Sequence, residues 1–204
     1  MNLKEIKQFL RTKPGYLKKS GKSLKDIFLK RGIKTTIAEC KIAIKEVKSE
    51  NKLLRSKIKN DEAKILIYDI ETSYNIVSSW RLGYNVNLPH YSVIKERAII
   101  CVSYKWLGDD QIYNLTWDKN QCDKFLLEQF IEVLNEADLI VAHNGDRFDL
   151  KWIKTRALKH DLPMLINYPQ FDTLKVAKKK FYFNSNKLDY ISEFLGFGKK
   201  IQTE

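Results

Sequence analysis

The chain has 204 residues, enough for one ordinary domain and a small appendage. Its 44% hydrophobic content is that of a globular protein and excludes wholesale disorder. The net charge of +12 is unevenly placed: residues 1–60 hold 18 basic and 5 acidic residues, residues 61–204 hold 19 and 20. The positive excess therefore belongs to a segment suited to a polyanion, either nucleic acid or an anionic membrane surface.

In chain order, Leu3–Leu10 reads as a short helix ended by a turn at Pro14-Gly15. A second helix is predicted from Ser23, capped through Asp26, and stops at Gly32. A third opens on Thr36-Ile37-Ala38-Glu39, a capping box in form. Its positions Ile37, Cys40, Ile44, Val47, Asn51, Leu54 and Ile58 alternate by three and four, a coiled-coil-like seam with one polar residue. Short helix, glycine turn and longer basic helix outline a helix-turn-helix module. Lys18, Lys19, Lys22, Arg31, Lys34, Lys41, Lys45 and Lys48 are its candidate nucleic-acid contacts. A docking or dimerising helix with solvated lysines is the blander alternative. The boundary with the rest of the chain is placed near Asn60-Asp61-Glu62, giving a helical module over 1–60 and a second domain over 61–204.

From Lys64 the pattern changes to strands at Lys64–Asp69, Ala98–Trp106 and Gln111–Trp117, the last two joined by Leu107-Gly108-Asp109-Asp110. Lys124–Ala137 follows as a helix, then Leu139–Ala142 as a strand and Leu150–Lys159 as a helix. Phe171–Leu174 reads as a short strand and Leu188–Leu195 as a helix closed by Gly196. This order is that of an α/β, RNase H-like mixed sheet flanked by helices, preceded by a small basic all-α module.

Two of the strands run into acids. Ile65-Leu66-Ile67-Tyr68 opens onto Asp69-Ile70-Glu71, and Leu139-Ile140-Val141-Ala142 onto His143-Asn144-Gly145-Asp146-Arg147-Phe148-Asp149. Asp69 and Glu71 are two apart, so on an extended strand both point to one face. Same-face carboxylates repel unless a cation sits between them, and hard oxygen ligands suit Mg²⁺ or Mn²⁺. Taken singly, Asp149 also fits a helix cap and Asn144 a turn former.

Together these residues resemble the DEDD superfamily of 3′–5′ exonucleases, with D-I-E at Asp69–Glu71 similar to its first motif and N-G-x-x-F-D at Asn144–Asp149 similar to its second. The likeness is to stand-alone phage and bacterial proteins related to the proofreading domain of family B DNA polymerases, over roughly residues 62–200. Phe171-Asp172-Thr173-Leu174, Lys187-Leu188-Asp189-Tyr190 and Phe194-Leu195-Gly196 are also similar to segments of that group. The resemblance implies two Mg²⁺ or Mn²⁺ ions held by Asp69, Glu71 and Asp149. It implies a terminal nucleotide positioned by Asn144 and Phe148, with Thr72 and Lys151 as further substrate contacts. The implied substrate is a single-stranded or frayed DNA 3′ end, with RNA left open, in replication or repair.

One departure stands out. The family has a fourth acid in a C-terminal helix, which is not found before Glu204. Asp189 and Glu193 fall in a helix that precedes that motif, and Asp172 is a poor stand-in. The chain is therefore expected to be C-terminally incomplete, with a further chain as one possible source of the acid. Two other readings remain: a nucleic-acid-binding module without catalysis, and an RNase H-like endonuclease or resolvase.

Lys151, Lys154 and Arg156 are candidates to line a single-strand groove, as are Lys178, Lys179 and Lys180 for phosphates. Trp80, Tyr84 and Tyr91 are candidates for base stacking, with core packing the alternative for Trp80. His143 reads as a packing residue. His90 and His160 form no i, i+4 pair with another histidine, and Cys40, Cys101 and Cys122 form no C-x-x-C pair, so no zinc cage is predicted. Dispersed cysteines, no apolar run of about 18 residues and no signal-like start predict a soluble, cytoplasmic protein.

Overall fold

A computed structural model describes residues 3–59, 62–81, 83, 85–165 and 167–199. The chain divides into two compact units, Met1–Ala63 and Lys64–Glu204.

In the first unit, α1 (Leu3–Thr12) leads into a 3₁₀ segment at Pro14–Lys18, where only a turn was predicted. Helix α2 (Gly21–Leu29) begins earlier than predicted, because Ser20 rather than Ser23 is the cap: its Oγ accepts the Ser23 N–H at 3.1 Å. Gly21 lets the start of α2 lie close against the next helix, since a Cβ there would meet Lys41 Cγ at 2.6 Å and the Ile37 carbonyl at 3.1 Å. Helix α3 (Ile37–Lys59) carries the full capping box, with Thr36 N–H donating to Glu39 at 2.8 Å and Glu39 N–H donating to Thr36 Oγ1 at 3.1 Å. Ile6, Leu10, Leu24, Phe28, Cys40, Ala43, Ile44 and Val47 form the core of this unit. The predicted seam of α3 is buried only at Cys40, Ile44 and Val47, since Ile37, Asn51 and Ile58 are exposed. Lys7–Glu46 and Arg11–Glu50 ion pairs fasten α1 to α3.

The second unit is built on a five-stranded sheet of order β5-β4-β1-β6-β7. Strand β1 (Ile65–Thr72) lies in the middle, antiparallel to β4 (Ile99–Trp106) and parallel to β6 (Leu139–Ala142). Strand β4 pairs with β5 (Tyr113–Thr116) through the predicted hairpin, whose Gly108 adopts a φ of +88°. A small two-stranded arm, β2 (Ile76–Val77) and β3 (Val93–Lys95), is inserted between β1 and β4 and was not predicted. Helices α4 (Lys124–Glu136) and α5 (Asp149–Lys159) flank the sheet order on either side of β6 in the chain. Beyond α5 come β7 (Gln170–Asp172), α6 (Thr173–Lys180) and α7 (Leu188–Phe194).

Residues alternate along β1: Leu66, Tyr68 and Ile70 are buried, whereas Asp69 and Glu71 are exposed on the other face. The buried set joins Leu127, Phe130 and Leu134 of α4, Ile140 of β6 and Ile153 of α5 in a single core. The Tyr68 and Phe130 rings lie 5.5 Å apart. This is the RNase H-like mixed sheet that the order of elements predicted.

Two predicted boundaries change the picture of the site. The strand predicted to stop at Asp69 continues to Thr72, because β4 pairs with it throughout: Asp69 faces Ser103 and Glu71 faces Cys101. The run Phe171–Leu174, read as strand, is strand only to Asp172, after which α6 begins.

Candidate metal centre and nucleic-acid groove

Strands β1 and β6 run parallel only from Ile65 to Ile67 against Leu139 to Val141, and then diverge. Carboxyl ends of strands, where chain connections leave in opposite directions, form a crevice that admits ligands. Asp69 and Glu71 stand on β1 beyond this pairing, and Asp149, at the start of α5, is brought to Asp69 and the Ile70 N–H; Asn144 and Phe148 lie in the connection between β6 and α5.

Asp149 is 2% exposed and accepts the Ile70 N–H through Oδ1 at 3.2 Å. That N–H belongs to the stretch of β1 past its pairing with β6, so the acid supplies the bond a strand would have supplied. Phe148 occupies the cap position of α5 and makes no side-chain bond there, while the Asp149 carboxyl, in the first turn, also accepts its own N–H. Burial pushes the Asp149 carboxyl up to about 6, and the Asp69 carboxyl beside it pushes the same way against the Ile70 N–H. Asp69 and Asp149 are therefore brought into contact.

Glu71 is exposed on the same face as Asp69, but the three acids do not gather within 4.8 Å of one another. Acids that share two cations about 3.5–4 Å apart need a wider spread than acids around one. All their donor atoms are hard oxygens, one pair is in repulsive contact, and two of the three acids face solvent. This donor set fits divalent cations.

The N-G pair earns its place by geometry. Asn144 has a φ of +71°, a conformation Asn tolerates better than most residues. A Cβ on Gly145 would meet that of Ala142 at 2.5 Å. Phe148 is half-exposed, Thr72 ends β1 at a bulge, and Lys151 is exposed on the first turn of α5.

Asp172 is taken up structurally. Its Oδ1 accepts N–H groups from Asn144 and Leu174 at 3.0 Å and Lys175 at 3.4 Å, capping α6. Burial pushes its carboxyl up, but the Asp146 carboxyl and those N–H groups outweigh it and hold it below the usual range. Asp189 and Glu193 lie on α7, exposed.

Arg156 is a correction: it is 5% exposed and cannot line an open groove. It forks onto the fully buried Asp123, with Nε and Nη2 bonds of 2.7 Å. Asp123 also accepts the Ile99 N–H and lies 2.7 Å from His160 Nε2. Cys122, Asp123 and His160 come within 4.8 Å of one another, the set with metal-ligand character among the described residues. A guanidinium already occupies both Asp123 oxygens, so this cluster is a structural tie rather than a cation site.

His143 is a tie as well, its ring nitrogens 2.9 Å from Thr173 Oγ1 and the Asn186 carbonyl. Trp80 is fully exposed, which removes its core-packing reading, and Tyr91 is exposed; Tyr84 lies outside the described residues. In the first unit Lys18, Lys19, Lys22, Arg31, Lys34, Lys41, Lys45 and Lys48 are all exposed, with the Arg31 guanidinium 5.4 Å from the Phe9 ring centre. Among the described residues no helix is long and apolar enough to cross a membrane.

Sequence reasoning missed the concave surface beside this loop. A cavity of about 340 Å³ is lined by Asn144, Asp146, Arg147, Asp172, Leu174, Lys175, Lys178 and Lys179. The lysine run was visible, but α6, which aligns three of its cations with Arg147, was not.

The fold is similar to that of the family B DNA polymerase from the hyperthermophilic archaeon Pyrobaculum calidifontis. The match has 15% identity and a TM-score of 0.51, and covers 67% of this chain and 19% of the polymerase chain. The chain thus spans about a fifth of that protein's length. No curated protein matches the sequence. The family model of the RNase H superfamily matches residues 94–203, more than half of the sequence, and this chain belongs to that superfamily.

Proposed function

We propose that this chain is a divalent-cation-dependent 3′–5′ exonuclease acting on single-stranded or frayed DNA ends. The observation that carries the reading is Asp69, exposed on β1 at the crevice, with the buried carboxyl of Asp149 held against it and Glu71 on the same face. Asp69, Glu71 and Asp149 would hold Mg²⁺ or Mn²⁺. When bound, the cations supply Lewis-acid stabilisation of the entering and leaving oxygens of a phosphodiester. The protein's own part is positioning and fixed charge. The Ile70 N–H fixes the Asp149 carboxyl, and the β4 ladder fixes Asp69 and Glu71. Phe148 would offer its half-exposed ring to the terminal base, Asn144 would contact the terminal nucleotide, and the exposed Lys151 would carry a charge for phosphate.

A 5′-labelled single strand incubated with the chain and Mg²⁺ or Mn²⁺ tests this. Any ladder of shortened products should be lost in Asp69→Ala; no ladder, with the strand still bound, would mean that a fourth acid beyond Asp69, Glu71 and Asp149 has to be supplied for turnover. A ladder unchanged in that variant would defeat the assignment. Cleavage of a covalently closed circle would replace it with an endonuclease, since an exonuclease needs a free end.

A further inference from the structure

We propose that the groove along α6, together with the aromatic pair that follows it, is a binding track for the phosphates and bases of a single-stranded nucleic acid beyond the end held at the acidic crevice. The proposal rests on the functional reading above for its direction, through Asn144, which lines the groove and stands in the loop that carries Asp149.

Charge is the first observation. Lys175, Lys178 and Lys179 fall at i, i+3 and i+4 on α6, one helix face, and Arg147 comes to the same cavity from the loop after β6. The two acids of the lining are turned to internal work. Asp172 caps α6 and Asp146 pairs with Lys175. Among the described residues no carboxylate pairs with Arg147, Lys178 or Lys179. Lysines in a last helical turn also complement the helix dipole, a bland role that serves Lys178 and Lys179. It does not serve Arg147, and it does not make a cavity.

Aromatic exposure is the second and independent observation. Phe181 is 55% exposed and Tyr182 wholly so, immediately beyond the lysines. They are not a loose tail: the Phe181 N–H donates to the Ala177 carbonyl at 3.1 Å, and the Phe181 ring stacks at a tilt on Phe183, 5.3 Å away. Cations that follow a backbone, beside rings that offer a π-face, are the two components of single-strand binding. An anionic membrane would answer the same charge and rings, but its surface is broad and would not enter a concave site lined by Asn144 and Arg147.

Binding of the full chain to fluorescein-labelled oligo(dT), followed by anisotropy in EDTA over a range of salt, tests the track without turnover. Affinity should fall with salt, and K178Q/K179Q should reduce the slope by about 1.4, at roughly 0.7 per phosphate contact on a single strand. Tyr182→Ala should weaken binding about tenfold with the slope unchanged, and Tyr182→Phe should retain it. Wild-type slope in K178Q/K179Q with wild-type affinity in Tyr182→Ala overturns the proposal. So does loss of phosphatidylserine-vesicle binding in these variants while oligo(dT) binding stays intact. Neither result depends on metal or hydrolysis, so failure of strand binding here and failure of the Asp69→Ala experiment are told apart, and only the direction of the track rests on the latter.

Discussion

At the scale of single residues, two buried carboxylates show opposite solutions to one problem. Asp123 meets a guanidinium, an N–H group and an imidazole; Asp149 meets two backbone N–H groups, its own and that of Ile70, and another carboxylate. For Asp123, burial pushes the carboxyl up but Arg156, Ile99 and His160 hold it below its ordinary value of 3.8. A depressed acid contributes stability that is complete above the unfolded value and lost as pH falls through the lower, folded one. We expect the second unit to lose stability below about pH 4. Arg156→Ala should cost about 3–5 kcal/mol in urea unfolding at neutral pH, because it strands a buried charge. Asp149 is the reverse case: burial and the Asp69 carboxyl raise it, so its charged form is destabilising at neutral pH. Asp149→Asn keeps an oxygen for the Ile70 N–H and removes the repulsion with Asp69. In EDTA it should raise the melting temperature by about 2–4 °C, and it should abolish the further rise that Mg²⁺ or Mn²⁺ gives the wild type.

Elements show why the sequence was legible in some places and opaque in others. The strand Leu139–Ala142 was placed to the residue, since four apolar residues between polar ones leave little choice. The capping box at Thr36 was equally plain, because both partners are three residues apart. We expect Thr36→Ala to lower the unfolding transition of the first unit by about 0.5–2 kcal/mol, read by circular dichroism. Helix α6 was missed because Thr173–Lys180 has few apolar residues, and Ala177 is the one buried. Its signal was the capping Asp172, hidden by being read as part of a strand. The end of β1 was set too early for a related reason: carboxylates looked like a terminus, whereas pairing with β4 carries the strand through them. Arg156 was misplaced because its partner Asp123 lies 33 residues away, beyond the reach of any local pattern. The acids Asp69, Glu71 and Asp149 were legible as candidates, but not the bond through which one of them completes the edge of β1.

Across the whole molecule, the charge asymmetry between the first 60 residues and the rest sets a second expectation for binding. Lys41, Lys45 and Lys48 are exposed on α3, each one residue, about a quarter turn, round from the buried Cys40, Ile44 and Val47. If this face contacts phosphates, K41Q/K45Q/K48Q should lower the salt slope of oligonucleotide binding by about 2. An unchanged slope would leave these lysines as a solvated face. The assay is that used for the α6 groove, so the two basic surfaces can be ranked directly.

The bond from Ile70 to Asp149 also constrains how this protein could decay. If selection for its chemistry ceased, Asp69 and Glu71 could drift freely, since each sits on a solvent face and the fold asks nothing of either carboxylate. Position 149 could not follow them as easily, because an apolar replacement would leave a backbone donor buried and unpaired. A descendant stripped of its function would therefore still carry an Asp or Asn there, a fossil of the site preserved by folding alone.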